Sequence, residues 1–260
     1  MMHVEVHDGT GPHLLLVHGI CSSRAQWRPN LAGLAEVSRP VVVELLGHGR
    51  SASPAEPEAY TVAAYVARFE AIREDLGAER WAICGQSFGA GLTLNYALTH
   101  PARILGQVFT NSASALARRN PAITDEMRLA RLAGFEDRGR AALEAMPFFP
   151  KRSGRLAPAV EAELMADAER ISLTGVAQGL RYTAPGLSVI DRFAQTRVPT
   201  LLVNGRREKS FQPVRDEAAR LLPALQVVDL DGGHPVNLDQ PEAFNDAVRA
   251  FLAAAVRAGG

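Results

Sequence analysis

A chain of 260 residues is long enough for one buried core with room for an inserted subdomain. With 47% hydrophobic and 22% charged residues and zero formal charge, it has a soluble globular composition, and its neutrality argues against a nucleic-acid partner, which would need a basic face. Cys21 and Cys84 supply neither a disulfide framework nor a zinc set, so no cofactor or metal is expected.

The amino-terminal stretch MMHVEVHDGTG carries charges and lacks the apolar core of a signal peptide. No segment approaches the ~20 apolar residues needed to cross a bilayer, so a cytoplasmic protein without a membrane partner is expected. Apolar runs then recur at HLLLVHG (13–19), RPVVVELLG (39–47), RWAICG (80–85), GQVFTNS (106–112), TLLVNG (200–205) and LQVVDLDG (225–232). Several are apolar on both faces, as in the central strands of a parallel sheet covered by helices.

Helical patterns alternate with these runs. Between Thr61 and Gly77, Val62, Tyr65, Val66, Phe69, Ile72 and Leu76 form one apolar stripe, with Thr61 as cap and Gly77 as terminator. The last helix begins near Pro241, carries Phe244, Val248, Phe251 and Leu252 on one face, and fades into Gly259. The alternation predicts an α/β fold with a mostly parallel open sheet. From 113 to 195 there is no strand pattern, only helical segments punctuated by Pro121, Pro147, Pro150, Pro158 and Pro185. That is too long for a loop. The expected organisation is therefore a core of residues 1–112 and 196–260, interrupted by a helical lid at 113–195.

The segment WAICGQSFGAGLTLNY passes from strand to helix at Ser87, which stands between Gly85 and Gly89. Glycines on both sides allow a turn too sharp for larger neighbours, and a helix amino end favours developing negative charge. A serine hydroxyl needs a base to become a nucleophile. His234, in a Gly-Gly loop after the last strand, leaves the same sheet edge and is the candidate. Glu208, three residues beyond Gly205 after the preceding strand, is the candidate orienting acid; its rivals are Asp229, Asp231 and Asp239. An oxyanion hole is expected from the backbone amides of Ile20 and Phe88. Cys21, Asn111, Met146, Phe148 and Phe149 are expected around the substrate pocket, the last three as an apolar wall in AMPFFP. His48 reads as a loop-stabilising residue and Cys84 as an inert core residue.

HGICSSRAQW, LLGHGRS, GQSFG, LLVNGRREKSFQP and GGHPVNLDQPEAF together resemble, in order, the motifs of the α/β-hydrolase-fold superfamily, in its serine esterase, lactonase and haloperoxidase-like branch. The resemblance implies a serine hydrolase that cleaves a small to medium carboxylic ester or lactone through an acyl-enzyme. Ser87 would be nucleophile, His234 base and Glu208 acid. Two positions depart from the family pattern. Glu44 replaces the aspartate that often precedes Gly-His-Gly, and Glu208 stands where aspartate is commoner. A serine nucleophile argues against the dehalogenase and epoxide hydrolase branches. The absence of Gly-Pro-Gly after the first His-Gly argues against the carbon–carbon hydrolases. Acyltransferase, thioesterase, perhydrolase and non-turnover receptor readings share the same motifs.

Overall fold

The computed structural model describes residues 1–118, 120, 122–151 and 156–259; Pro121 lies outside them. Seven strands, β1 (Val4–Val6), β2 (His13–Val17), β3 (Arg39–Val43), β4 (Trp81–Gly85), β5 (Ile104–Thr110), β6 (Thr200–Gly205) and β7 (Gln226–Leu230), form one sheet. Their order is β1-β3-β2-β4-β5-β6-β7. Only β1 runs antiparallel to its neighbour. This short edge strand is an addition to the sequence expectation: three residues of VEV carry too little pattern, and their partner is the distant Val41–Val43 segment.

Before the insertion the helices are α1 (Arg28–Ala35), α2 (Val62–Asp75) and α3 (Phe88–Thr99). Period-two alternation sorts the central strands between two faces. Leu15, Val17, Val41, Val43 and Ile83 pack with Tyr65, Phe69 and Tyr96 of α2 and α3. The alternate residues Leu14, Leu16, Val42, Ala82 and Cys84 pack on the other face, with Leu34 of α1 and the apolar stripe of the last helix. Thr61 Oγ1 accepts a hydrogen bond from Ala64 N at 3.1 Å, and Gly77 has φ +62°. Both signals at the ends of α2 therefore act as their residue types dictate.

Between β5 and β6 the chain forms α4 (Ala113–Leu116), α5 (Asp125–Asp137), α6 (Arg140–Glu144), α7 (Pro158–Ala168) and α8 (Leu173–Gln178). This is an inserted helical region with its own apolar cluster, which includes Leu132, Phe135, Leu143, Phe149 and Val176. Charged side chains moor α7: Glu163 pairs with Arg24 at 2.5 Å and with Arg28 at 2.6 Å. The start of α8 is seated by backbone. Ser172 N donates to Gly47 O at 2.9 Å, and a Cβ on Gly47 would stand 2.6 Å from Gly175 Cα. After β6 come α9 (Gln212–Leu221), α10 (Val236–Asp239) and α11 (Pro241–Gly259). No described helix is long and apolar enough to cross a membrane.

Candidate active site

The turn from β4 into α3 puts Ser87 at φ +52°, in the left-handed region that L-residues avoid. Its neighbours are small because nothing else fits. A Cβ on Gly85 would stand 2.4 Å from Thr93 Oγ1, and one on Gly89 would stand 2.4 Å from Val17 O. Ser112 Oγ donates to Ser87 O at 2.7 Å, which ties the corner to the end of β5. Ser87 itself supplies no side-chain cap to α3.

Two loops after β6 and β7 bring Glu208 and His234 together. His234 Nδ1–H donates to Glu208 Oε2 at 2.9 Å, so the extra methylene of glutamate is accommodated. Asn111 Nδ2 donates to the same Oε2 at 2.8 Å and to Gly205 O at 3.0 Å. Burial would raise the Glu208 carboxyl pKa, but bonding and charge from His234, with the bond from Asn111, hold it below the usual value. The other carboxylates are engaged elsewhere. Asp229 pairs with Arg215 at 2.9 Å, Asp239 Oδ2 accepts from Gly233 N at 2.6 Å, and Asp231 stands 4.0 Å from Arg207. On the other ring edge, His234 Nε2 is buried with no hydrogen-bond partner among the described residues.

Ser87 and His234 line one cavity of about 380 Å³. Gly19, Ile20, Gln26 and Gln86 contribute to its core side, and Phe148, Phe149, Leu164 and Met165 to its lid side. A Cβ on Gly19 would stand 3.2 Å from Ser87 Cβ, so glycine is what lets this loop approach the serine. Among the described residues, the amides of Ile20 and Phe88 donate no hydrogen bond. The Phe148 ring stacks on the His234 imidazole, with centroids 4.2 Å apart and planes 20° from parallel. A hydroxyl, an imidazole oriented by a carboxylate and unpaired amides beside one cavity are the groups that covalent acyl transfer uses. No cluster of three or more His, Cys, Asp or Glu among the described residues is placed to hold a metal ion.

Of the expected pocket residues, Phe148 and Phe149 line the cavity; Cys21, Met146 and Asn111 do not. The Asn111 amide is turned under Glu208. Cys21 is buried in the lid cluster with Sγ 3.5 Å from Met146 Sδ, and burial pushes its thiol pKa up to about 12. The loop carrying Ile20 is stapled by two neutral histidines. His18 Nδ1–H donates to Gly19 O at 2.7 Å while Nε2 accepts from Leu45 N at 3.0 Å. His48 Nδ1–H donates to Leu46 O at 3.0 Å while Nε2 accepts from Cys21 N at 3.0 Å. Burial lowers their pKa values to about 3 and about 4, with His48 also disfavouring charge on His18. Glu44 is fully buried and accepts from Arg50 N at 2.7 Å, so it closes the Gly-His-Gly loop. Sequence reasoning missed Gln26, Gln86 and the α7 residues Leu164 and Met165; the apolar spacing of α7 marks a buried face but not what it meets.

The sequence pattern of the alpha/beta hydrolase fold family matches residues 12–241. The chain belongs to that family. Carboxylesterase YbfK of Bacillus subtilis (strain 168) is 26% identical over 253 residues, which cover 95% of this chain and 82% of that protein. Two solved structures share the alpha/beta hydrolase fold over nearly their whole length. The enol-lactonase from Burkholderia xenovorans LB400 superposes with a TM-score of 0.77 at 22% identity, covering 97% of this chain and 96% of its own. MenH from S. aureus does so with a TM-score of 0.83 at 19% identity, covering 98% and 99%.

Proposed function

We propose that this protein is a serine hydrolase cleaving small to medium carboxylic esters or lactones, with residues 113–195 acting as its lid. The observation that carries the reading is the 2.9 Å bond from His234 to Glu208 beside a cavity that Ser87 also lines at positive φ. Ser87 Oγ attacks the acyl carbonyl while His234 Nε2 takes its proton. Glu208 holds the tautomer that leaves Nε2 free and stabilises the imidazolium. The oxyanion is received by the amides of Ile20 and Phe88, neither of which has another acceptor among the described residues. The imidazolium returns its proton to the leaving alkoxide as the carbon–oxygen bond breaks. Water, deprotonated by His234, then attacks the acyl-enzyme; the bond to Ser87 Oγ breaks, the imidazolium returns the proton to Oγ, and the acid leaves. In a lactone the alkoxide stays tethered to the product.

The apolar lid wall suits the acyl part of such a substrate. The relationship to a carboxylesterase supports the same reaction class. The decisive experiment is turnover of an aryl-ester and lactone panel by wild type and Ser87→Ala. The variant should lose activity by several orders of magnitude. An active-site phosphonate should label Ser87. Unchanged turnover in the folded variant, or labelling at another residue, sinks the reading.

A further inference from the structure

Two buried side-chain nitrogens without a hydrogen-bond partner among the described residues belong to residues that line the active-site cavity: His234 Nε2 and Gln26 Nε2. The proposed reaction gives the first its partner, the Ser87 hydroxyl. It leaves the second unexplained. Gln26 is 2% exposed and sits in the single helical turn Arg24–Trp27 that closes the loop begun by Gly19 and Ile20. The carboxamide is placed with Oε1 accepting a long hydrogen bond from Gly19 N at 3.4 Å, which leaves Nε2 as the unused donor. The backbone around it is anchored, since Asn237 Nδ2 donates to Gln26 O at 3.0 Å.

A buried amide donor left unpaired costs about 1–3 kcal/mol, and the bond to Gly19 N uses only the carboxamide oxygen, so that contact does not account for Nε2. Ile20, Leu164, Met165 and Leu238 give the cavity apolar walls, beside the polar Ser22, Gln86, Lys151 and Glu161. A donor kept among such residues requires an acceptor, and the cavity is where a substrate brings one. The position also restricts which part of the substrate is read. Gln26 is bonded to Gly19, the residue next to the proposed oxyanion donor Ile20, so its reach begins near the scissile carbonyl. The acyl part is what stays at that carbonyl throughout both halves of the reaction.

We infer that Gln26 is a specificity-determining residue whose Nε2 donates to an acceptor oxygen on the acyl part of the substrate. The preferred substrates are then oxo-, hydroxy- or alkoxy-substituted esters or lactones rather than plain alkanoates. This rests on the serine-hydrolase reading, and the test separates the two.

Matched para-nitrophenyl esters in which one methylene is exchanged for an ether oxygen provide the probe. One pair is butanoate and methoxyacetate; another is pentanoate and β-methoxypropanoate. Each rate is divided by that ester's alkaline hydrolysis rate, which removes the oxygen's intrinsic activation. Wild type should favour the oxygenated member of at least one pair by roughly tenfold in kcat/KM, the worth of one hydrogen bond. Gln26→Leu should bring that ratio to about one, whatever the absolute rates. Gln26→Met repeats the measurement if the leucine variant does not fold. A wild-type ratio near one in every pair overturns the inference before any variant is made. A ratio that survives in the folded variants overturns it too, because equal losses on both members mean that Gln26 only supports the Gly19 loop. Ser87→Ala is assayed alongside. Persistent turnover there defeats the hydrolase reading and this inference with it, whereas Ser87-dependent turnover with flat ratios defeats this inference alone.

Discussion

Ser87 and Phe148 border the same cavity from opposite sides, and different forces hold them. On the core side, each polar group follows a strand, and the parallel register of β4, β6 and β7 decides where the following turn begins. Buried hydrogen bonds then fix the turns: Ser112 to Ser87, Asn111 to Glu208, His18 and His48 to their loops. On the lid side, position comes from side-chain packing in one apolar cluster and from charged moorings such as Glu163 to Arg24. Hydrogen-bonded corners tolerate little displacement, while packed helices can be resurfaced with modest adjustment. In the proposed enzyme, chemistry therefore belongs to the rigid edge and substrate shape to the adaptable cover.

The sharpest way to break this division is at Glu208. Glu208→Gln keeps the side chain's size and removes its charge, so the chemical step should fall a hundredfold or more while the melting temperature barely changes. Near-normal turnover, with Asp231→Asn inactive yet folded, would move the acid to the neighbouring loop. Within the lid, two adjacent phenylalanines should part company. Phe149 is 8% exposed, sits in the lid cluster and lies under the Arg140 guanidinium, so Phe149→Ala should cost up to about 3 kcal/mol in denaturant unfolding. Phe148 is 45% exposed and stacked on His234, so Phe148→Ala should alter acyl-length preference with under about 1 kcal/mol of destabilisation. Uniform activity loss tracking a lower melting point in both variants would erase the distinction between wall and core.

The smallest effect is on the core's response to acid. His18 and His48 stay neutral when folded, with pKa values of about 3 and about 4, whereas the unfolded chain protonates them near the ordinary 6.5. Because the unfolded state binds more protons, their contribution is complete above that value and is lost as pH falls toward the folded values. Each should cost roughly 0.5–1 kcal/mol between pH 7 and 6. His48→Gln keeps an acceptor for the Cys21 amide and should flatten this dependence in thermal melts. Parallel curves for variant and wild type would show that the neutral imidazole is not what acid attacks.

Much of the core was legible because its signals are local. Gly85, Ser87 and Gly89 at a strand-to-helix junction describe a turn without reference to the rest of the chain. Glu208 and His234 are each flagged by following a strand, and the strand order does the rest. What escaped the sequence depends on partners far along the chain. β1 needs Val41–Val43, the Phe148 ring needs His234, and the role of Asn111 becomes visible only when Glu208 arrives above it. Cys21 and Met146 were expected at the pocket from chain proximity to Ile20 and Phe148, yet they meet each other behind its wall. Nothing in RAQW distinguishes Gln26 from an ordinary helix-turn glutamine until the cavity is drawn around it.

The seat of α8 has a consequence for transplantation between relatives. Gly47 and Gly175 come so close that a Cβ on Gly175 would stand 2.5 Å from Gly47 Cα, and Gly47 is at φ +77°. The two backbones meet as a pin in a socket, with no side-chain layer between them to absorb a mismatch. A cover borrowed from another member of the family keeps its tilt over this core only if it brings a bare backbone to that spot. An alanine in either place acts as a wedge, because its Cβ has no room unless the two backbones move apart.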